Sequence, residues 1–283
     1  VTDAPNAVAA TSITGTSFSA NWDATTGAAS YRLDVATDVG FTAFVTGFND
    51  RTVAATTESV TGLTENTTYF YRVRAVNAGG TSASSNDISP LTAPAASTAN
   101  AATAIATTSF DANWDAVTGA TGYRLDVATD AGFTAFVAGF SDRSVAGTTE
   151  TVTGLAGNTT YFYRVRAVNA GGTGANSNDI SVLTVPEPPT AIAATGETQT
   201  TFEANWNVSA GATSYRLDVS TDPGFGAGTF VVNFEDRVVA GGATATETVT
   251  GLAAGTTYHY RVRAVGTNGT STSSNVITIA TLP

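Results

Sequence analysis

Large apolar residues fall on every second position through much of this chain, and helical spacing is missing from it. In Phe18-Ser19-Ala20-Asn21-Trp22 the bulky side chains share one parity, which predicts a strand with one buried face. Tyr31, Leu33 and Val35 alternate with Arg32 and Asp34 in a following strand. Tyr69, Tyr71, Val73 and Ala75 alternate with Phe70, Arg72 and Arg74 in a later one. Clusters of glycine, asparagine and threonine separate these runs at intervals of about 8–12 residues, the rhythm of an antiparallel sandwich.

The pattern then repeats. Trp22, Trp114 and Trp206 stand 92 residues apart, as do Tyr31, Tyr123 and Tyr215. The run NTTYFYRVRAVNAGGT from Asn66 to Thr81 returns unchanged at Asn158 to Thr173 and as GTTYHYRVRAVGTNGT from Gly255. A period of this length predicts an array of small domains, here 1–92, 93–184 and 185–283. Each is large enough to bury its own core, with a stability of about 5–14 kcal/mol by per-residue scaling. Alternation stops near Pro94 and Pro186, which places the boundaries there with almost no spare linker. The third repeat carries two extra residues between Phe225 and Phe230 and three between Arg237 and Glu247, so both places read as loops. Asp38-Val39-Gly40, with proline as Pro223 at the middle position of the third copy, predicts a type II turn with aspartate capping locally.

A Trp in the second strand, a Tyr nine residues on, and the step from Leu63 to Tyr69 followed by x-Tyr-x-Val-x-Ala resemble a fibronectin type III domain. The step recurs at Leu155/Tyr161 and Leu252/Tyr258, so the resemblance covers the whole chain. It implies an all-β protein of three tandem immunoglobulin-like, seven-stranded antiparallel β-sandwiches. It also implies that the hydroxyls of Tyr69, Tyr161 and Tyr258 bond back to nearby backbone as corner tyrosines. The proline often found two residues after the leucine is here Glu65, Gly157 or Ala254, which weakens that turn slightly. The wording YRLDVATDxGFTxFVxGFxDR is similar to modules of bacterial secreted and cell-surface proteins, which implies an extracellular or cell-surface location. No Arg-Gly-Asp tripeptide is present, so the integrin-binding activity of animal fibronectin does not carry over.

Composition narrows the partners. The net charge is −11, and all twelve basic residues are arginine. A lysine-free acidic chain argues against nucleic acid and anionic membranes, since phosphate binding needs clustered positive charge. No apolar stretch approaches the length of a membrane-spanning helix. Val1 opens no charged and then apolar leader, so the chain reads as a mature product or a piece of a longer protein. Cysteine is absent, which removes disulfides, thiolate metal sites and cysteine nucleophiles.

Four features are candidates for chemistry. His259, the one histidine, replaces Phe70 and Phe162 on an outward strand position and has no partners for a triad or metal site. Asp34, Asp38 and Asp50 recur in every copy. They fit either a calcium site or surface pairing, with Asp34 facing Arg72 or Arg74, Asp38 capping its turn and Asp50 beside Arg51. The run Phe41, Phe44, Phe48 recurs as Phe133, Phe136, Phe140 and as Phe225, Phe230, Phe234. As a strand it cannot bury all its members, so Phe44, Phe48, Phe136, Phe140, Phe230 and Phe234 are the candidate ligand or self-association surface. Asn66, Asn158, Asn207 and Asn268 match the glycosylation acceptor pattern.

Because nearly every candidate is triplicated, the sequence assigns no catalytic residue, metal or cofactor and points to a non-catalytic structural or adhesive array. Such an array serves as a spacer or fibre segment of a surface or secreted protein, open to self-association into a filament. Its partners are other domains of a longer parent chain or copies of itself. The alternative is a binding array that uses exposed aromatics to hold a glycan or a surface protein.

Overall fold

The computed structural model describes residues 1–283 as three all-β units with no helix. In the first unit the strands are β1 (Ala7–Thr11), β2 (Ser17–Trp22), β3 (Ser30–Ala36), β4 (Arg51–Val53), β5 (Thr57–Thr61), β6 (Phe70–Asn77) and β7 (Gly80–Thr81). They form two antiparallel sheets, ordered β1-β2-β5 and β4-β3-β6-β7. The same two sheets recur in the second and third units, giving six in all. The last strand of each sandwich is broken. After Gly172–Thr173 it resumes at Ile180–Leu183, and after Gly269–Thr270 at Ile277–Ala280. In the first unit only bridges at Ile88 and Leu91 mark the resumption.

Parity builds the core as the alternation predicts. β2 alternates half-buried and buried positions along its length, and β6 does so over its first six residues. Phe18, Ala20 and Trp22 thus meet Leu33, Val35, Tyr71 and Val73 across the sandwich in a cluster of 15 buried residues. The other two units bury 16 each. Phe18 stacks on Tyr71 at 5.9 Å between ring centroids, and Trp22 meets Tyr31 at 5.7 Å. Such aromatic pairs contribute about 0.5–1.5 kcal/mol beyond the area they bury.

Two tyrosines of β6 and its approach tie backbone together. The Tyr69 hydroxyl accepts from Thr64 N–H at 2.8 Å, and Tyr161 and Tyr258 accept from Ala156 and Ala253 at 2.9 Å. This is the corner that the family resemblance implies. Tyr71 does something different: its hydroxyl crosses to the opposite sheet, donating to the Val8 carbonyl and accepting from Asn21 N–H at 3.3 Å. Tyr163 and Tyr260 repeat the bridge at Asn100/Asn113 and Ile192/Asn205.

Side chains also close the sandwich edges. The Asn86 amide accepts from Ala7 N–H and donates to the Ala7 carbonyl, both at 2.9 Å, joining the last strand to the first. Asn178 and Asn275 do the same to Ala99 and Ala191. On the opposite edge Arg51 pairs with Glu58 at 2.7 Å, Arg143 with Glu150 at 2.8 Å and Arg237 with Glu247 at 3.1 Å.

The Asp38 turn departs from expectation. A type II turn needs a left-handed Gly40, yet Gly40 lies outside that region and Phe41 occupies it at φ 53°. Phe133 and Phe225 match it at 53° and 54°. The reason lies in the aspartate. The Asp38 carboxylate accepts from both Thr42 and Ala43 N–H, at 3.1 and 2.7 Å, which requires the chain to double back at Phe41.

Burial raises the pKa of the Tyr71, Tyr163 and Tyr260 phenols above 10.0, opposed by a backbone hydrogen bond. A raised folded value means the bridge's contribution is complete below pH 10 and is lost as pH climbs through that value. Tyr163→Phe is therefore expected to lower the stability of the second unit by about 1–3 kcal/mol near neutral pH. It should also flatten the alkaline limb, as read by denaturant unfolding followed with residue-resolved amide exchange.

Candidate functional site

The most densely connected surface lies between β3 and β6. Antiparallel register sets Asp34 opposite Arg72, with Arg32 opposite Arg74 two pairs along on the same face. Asp34 is only 3% exposed and accepts from Arg72 Nε at 3.4 Å, Arg74 Nη2 at 3.1 Å and Asp50 N–H at 2.8 Å. Asp50, left-handed at φ 60°, turns its own carboxylate to Arg74 at 2.9 Å and Arg32 at 3.4 Å. The expected Asp50–Arg51 pairing is not formed, because Arg51 starts β4 and reaches across the edge to Glu58. Asp126 and Asp218 rebuild the cluster with Arg164 and Arg166, and with Arg261 and Arg263. These carboxylates face guanidinium groups and amides, and no three acidic or histidine side chains gather.

The loop that this cluster pins carries the phenylalanines, and it divides them. Phe41 is buried at 5% exposure under the Arg72 guanidinium, 4.0 Å from ring centroid to cation. Phe133 and Phe225 sit likewise under Arg164 and Arg261, at 4.0 and 4.2 Å. A cation–π contact of about 0.5–1 kcal/mol from a partly exposed arginine offsets part of the 1–2 kcal/mol that a left-handed bulky residue costs. Phe48, Phe140 and Phe234 belong to the cores at 7%, 7% and 5% exposure, so they present no surface to a ligand. That corrects their inclusion among the candidates. The segment is a hydrogen-bonded loop rather than a strand, and strand parity does not govern it. Only Phe44, Phe136 and Phe230 keep a ring accessible, with Phe136 the most exposed at 41%. Each sits beside the third strand of its sandwich through a single bridge.

His259 is outward, its Nδ1 2.9 Å from the Thr278 hydroxyl. The Asp222 carboxyl is held below the ordinary aspartate value by Gly224 and Gly226 N–H first, with the charge of His259 adding to them.

The acceptor asparagines lie in unequal places. Asn66 is left-handed at φ 47° and sits in the joint between the first two units. Its Oδ1 accepts from Asn169 Nδ2 at 3.0 Å, and the same Nδ2 donates to the Thr92 carbonyl at 3.0 Å. Gly119 makes room for it: a Cβ there would lie 1.9 Å from Asn66 Nδ2. Asn158, also at φ 47°, packs on Gly211 in the second joint, where a Cβ would lie 1.8 Å from its Oδ1. Asn268 spans that joint by donating to the Leu183 carbonyl at 2.8 Å. Asn268 remains exposed despite that bond, and Asn207 is exposed at the end of Phe202–Asn207. The sequence reading missed the joint role of Asn66 and Asn158. The available signal was their replacement by Gly255 in the last repeat, together with the invariant Gly27, Gly119 and Gly211.

The model of the fibronectin type III domain matches residues 3–90, 94–183 and 187–280. Chitinase A1 of Niallia circulans is 31% identical over 75% of this chain and 30% of its own length. Exoglucanase B of Cellulomonas fimi is 33% identical over 98% of this chain and 25% of its own. The chain therefore spans less than a third of the length of these curated relatives. The solved FN1–FN3 domains of chicken CNTN1 align over 100% of this chain and 99% of theirs, at 17% identity and a TM-score of 0.34.

Two outcomes test the loop. Backbone N–H donors hold the Asp38 carboxyl below its ordinary 3.8, Ala43 first and Thr42 second. A depressed folded value gives stability that is present above the unfolded value and lost as pH falls through the folded one. The Thr42 and Ala43 amide shifts should therefore titrate with a midpoint below 3.8, and Asp38→Asn should abolish the titration. Asp34→Ala, which strips Arg72 and Arg74 of their buried partner, should cost about 1–3 kcal/mol by denaturant unfolding, the arginines' partial exposure limiting the loss.

Proposed function

The chain belongs to the fibronectin type III family, and on that premise we propose that it is a non-catalytic spacer array of a longer extracellular or cell-surface protein that acts on polysaccharide. The observation that carries this reading is the pair of joints. Each fixes one module on the next through an asparagine seated on a glycine and a side-chain amide bonded across the boundary. A chain whose modules are fastened in this way holds a set distance between whatever it connects. The relatives named chitinase and exoglucanase carry matching segments that make up less than a third of their length, which supports an accessory role. The chemistry agrees, because the side chains that form the tightest clusters are engaged with one another in each of the three copies.

A second reading has one observation behind it. Phe44, Phe136 and Phe230 repeat once per module with accessible rings, the arrangement that stacking on a sugar or packing on a protein would use. Association into a filament by strand addition has less support, since amide clamps and arginine–glutamate pairs already occupy the sandwich edges.

Small-angle scattering is expected to give a rod on the order of 100 Å long, from strands of ~8 residues at ~3.3 Å each plus loops, repeated three times. A compact particle would overturn the spacer reading. Under that reading the triple change Phe44→Ala, Phe136→Ala, Phe230→Ala leaves retention on insoluble chitin or cellulose unchanged. A loss of retention in the folded variant would establish the binding array instead.

A further inference from the structure

Both joints seat a left-handed asparagine on a left-handed glycine, while the spanning hairpin amide is Asn169 in the first and Asn268 in the second. One end is a tip loop carrying a left-handed asparagine, Asn66 or Asn158. The other is a socket made by a left-handed glycine, Gly119 or Gly211 at φ 76° and 74°, beside the hairpin that follows the sixth strand of the sandwich. In the first joint that hairpin is Asn169-Ala170-Gly171-Gly172. Asn169 Oδ1 accepts from Gly171 N–H at 2.7 Å, which aims its Nδ2 at the incoming tip. Gly171 allows the Leu91 carbonyl to approach where a Cβ would lie 2.0 Å away.

The first module has a complete socket on its outer end. Gly27 is left-handed at φ 79°, and Asn77-Ala78-Gly79-Gly80 repeats the hairpin letter for letter. Asn77 Oδ1 accepts from Gly79 N–H at 2.9 Å, as in the occupied copy. Its Nδ2, the counterpart of the donor that holds Asn66 and Thr92 in the first joint, makes no hydrogen bond. The left-handed φ of 79° by itself calls for glycine at Gly27, and a Cβ on Gly79 would press on Val1 N at 3.0 Å and Asn77 Oδ1 at 3.2 Å, so the repeated hairpin and the unengaged Asn77 amide are what mark the socket.

The opposite end of the chain cannot fill it. The tip of the third module has Gly255 in place of the asparagine, at φ 60°, with no side-chain amide to offer. A second copy of this chain thus presents a socket at one end and a blank tip at the other.

We propose that the Gly27–Asn77 face is a docking surface for the tip of a further fibronectin type III module, one that carries a left-handed asparagine in the loop before its corner tyrosine and is delivered from the N-terminal side on the same polypeptide. The proposal extends the joint geometry and does not depend on the spacer reading: a flexible array with this socket filled would satisfy one and not the other.

The test is a four-module chain in which a copy of residues 1–92 is joined ahead of Val1, which preserves the 92-residue spacing. The Asn77 side-chain amide and the Ala78–Gly80 backbone amides are followed by NMR exchange. They should slow by roughly tenfold or more relative to the three-module chain, approaching Asn169 and Ala170–Gly172. Asn66→Gly in the added copy should restore the three-module rates; the third module folds with glycine at this position, so the change leaves the copy folded. Equal rates with and without the added module, or full protection in the Asn66→Gly variant, would overturn the proposal. Protection that instead rises with concentration in the three-module chain alone would assign the face to a second copy and overturn it as well.

Discussion

Backbone N–H and carbonyl groups at the rim of a two-layer sandwich must find partners, and in this chain amide and phenol side chains supply them. Asn86 bonds both polar groups of Ala7, Tyr69 caps the loop at Thr64, and Tyr71 reaches through the core to Val8 and Asn21. Ser82 and Ser85 perform the same service inside the broken last strand, their hydroxyls accepting from Ala75 and Val73 N–H. A sandwich without disulfides depends on these links, because its sheets are short and its layers are joined covalently only by loops.

The same economy of parts extends to the surface. One buried carboxylate, Asp34, organises two arginines and the amide of Asp50, and that fixes the path of the loop from Thr37 to Asp50. Arg72 then covers Phe41, so a strained residue, an ion pair and a stacked ring form one unit. The threefold recurrence of this unit ties it to the build of each module.

Legibility in the sequence followed the reach of local rules. Trp22, Tyr31, Tyr71 and Val73 were placed by alternation, and Asp34 was placed beside its arginines because cross-strand register follows from the same period. Tyr69 needed the family resemblance as well. Phe41 and Phe48 escaped because the segment between β3 and β4 leaves the strand, and parity then says nothing about which rings are covered. Asn66 escaped for a different reason. Its partner Asn169 lies 103 residues away in the next module, so the motif that matches a modification signal also makes an intermodule contact. The Gly255 replacement carried that information, but only a three-way comparison of repeats with the joint in view makes sense of it.

The clamp between Asn86 and Ala7 bears on how the array responds to tension. A pull on the two ends enters each module through its first and last strands, which lie in different sheets. The amide clamp connects those strands directly, and Asn178 and Asn275 repeat it. The clamp therefore adds two side-chain hydrogen bonds to the links through which those strands share a load. Once a clamp yields, one module can unravel to a contour of about 300 Å, at roughly 3.3–3.6 Å per residue, while its neighbours stay folded.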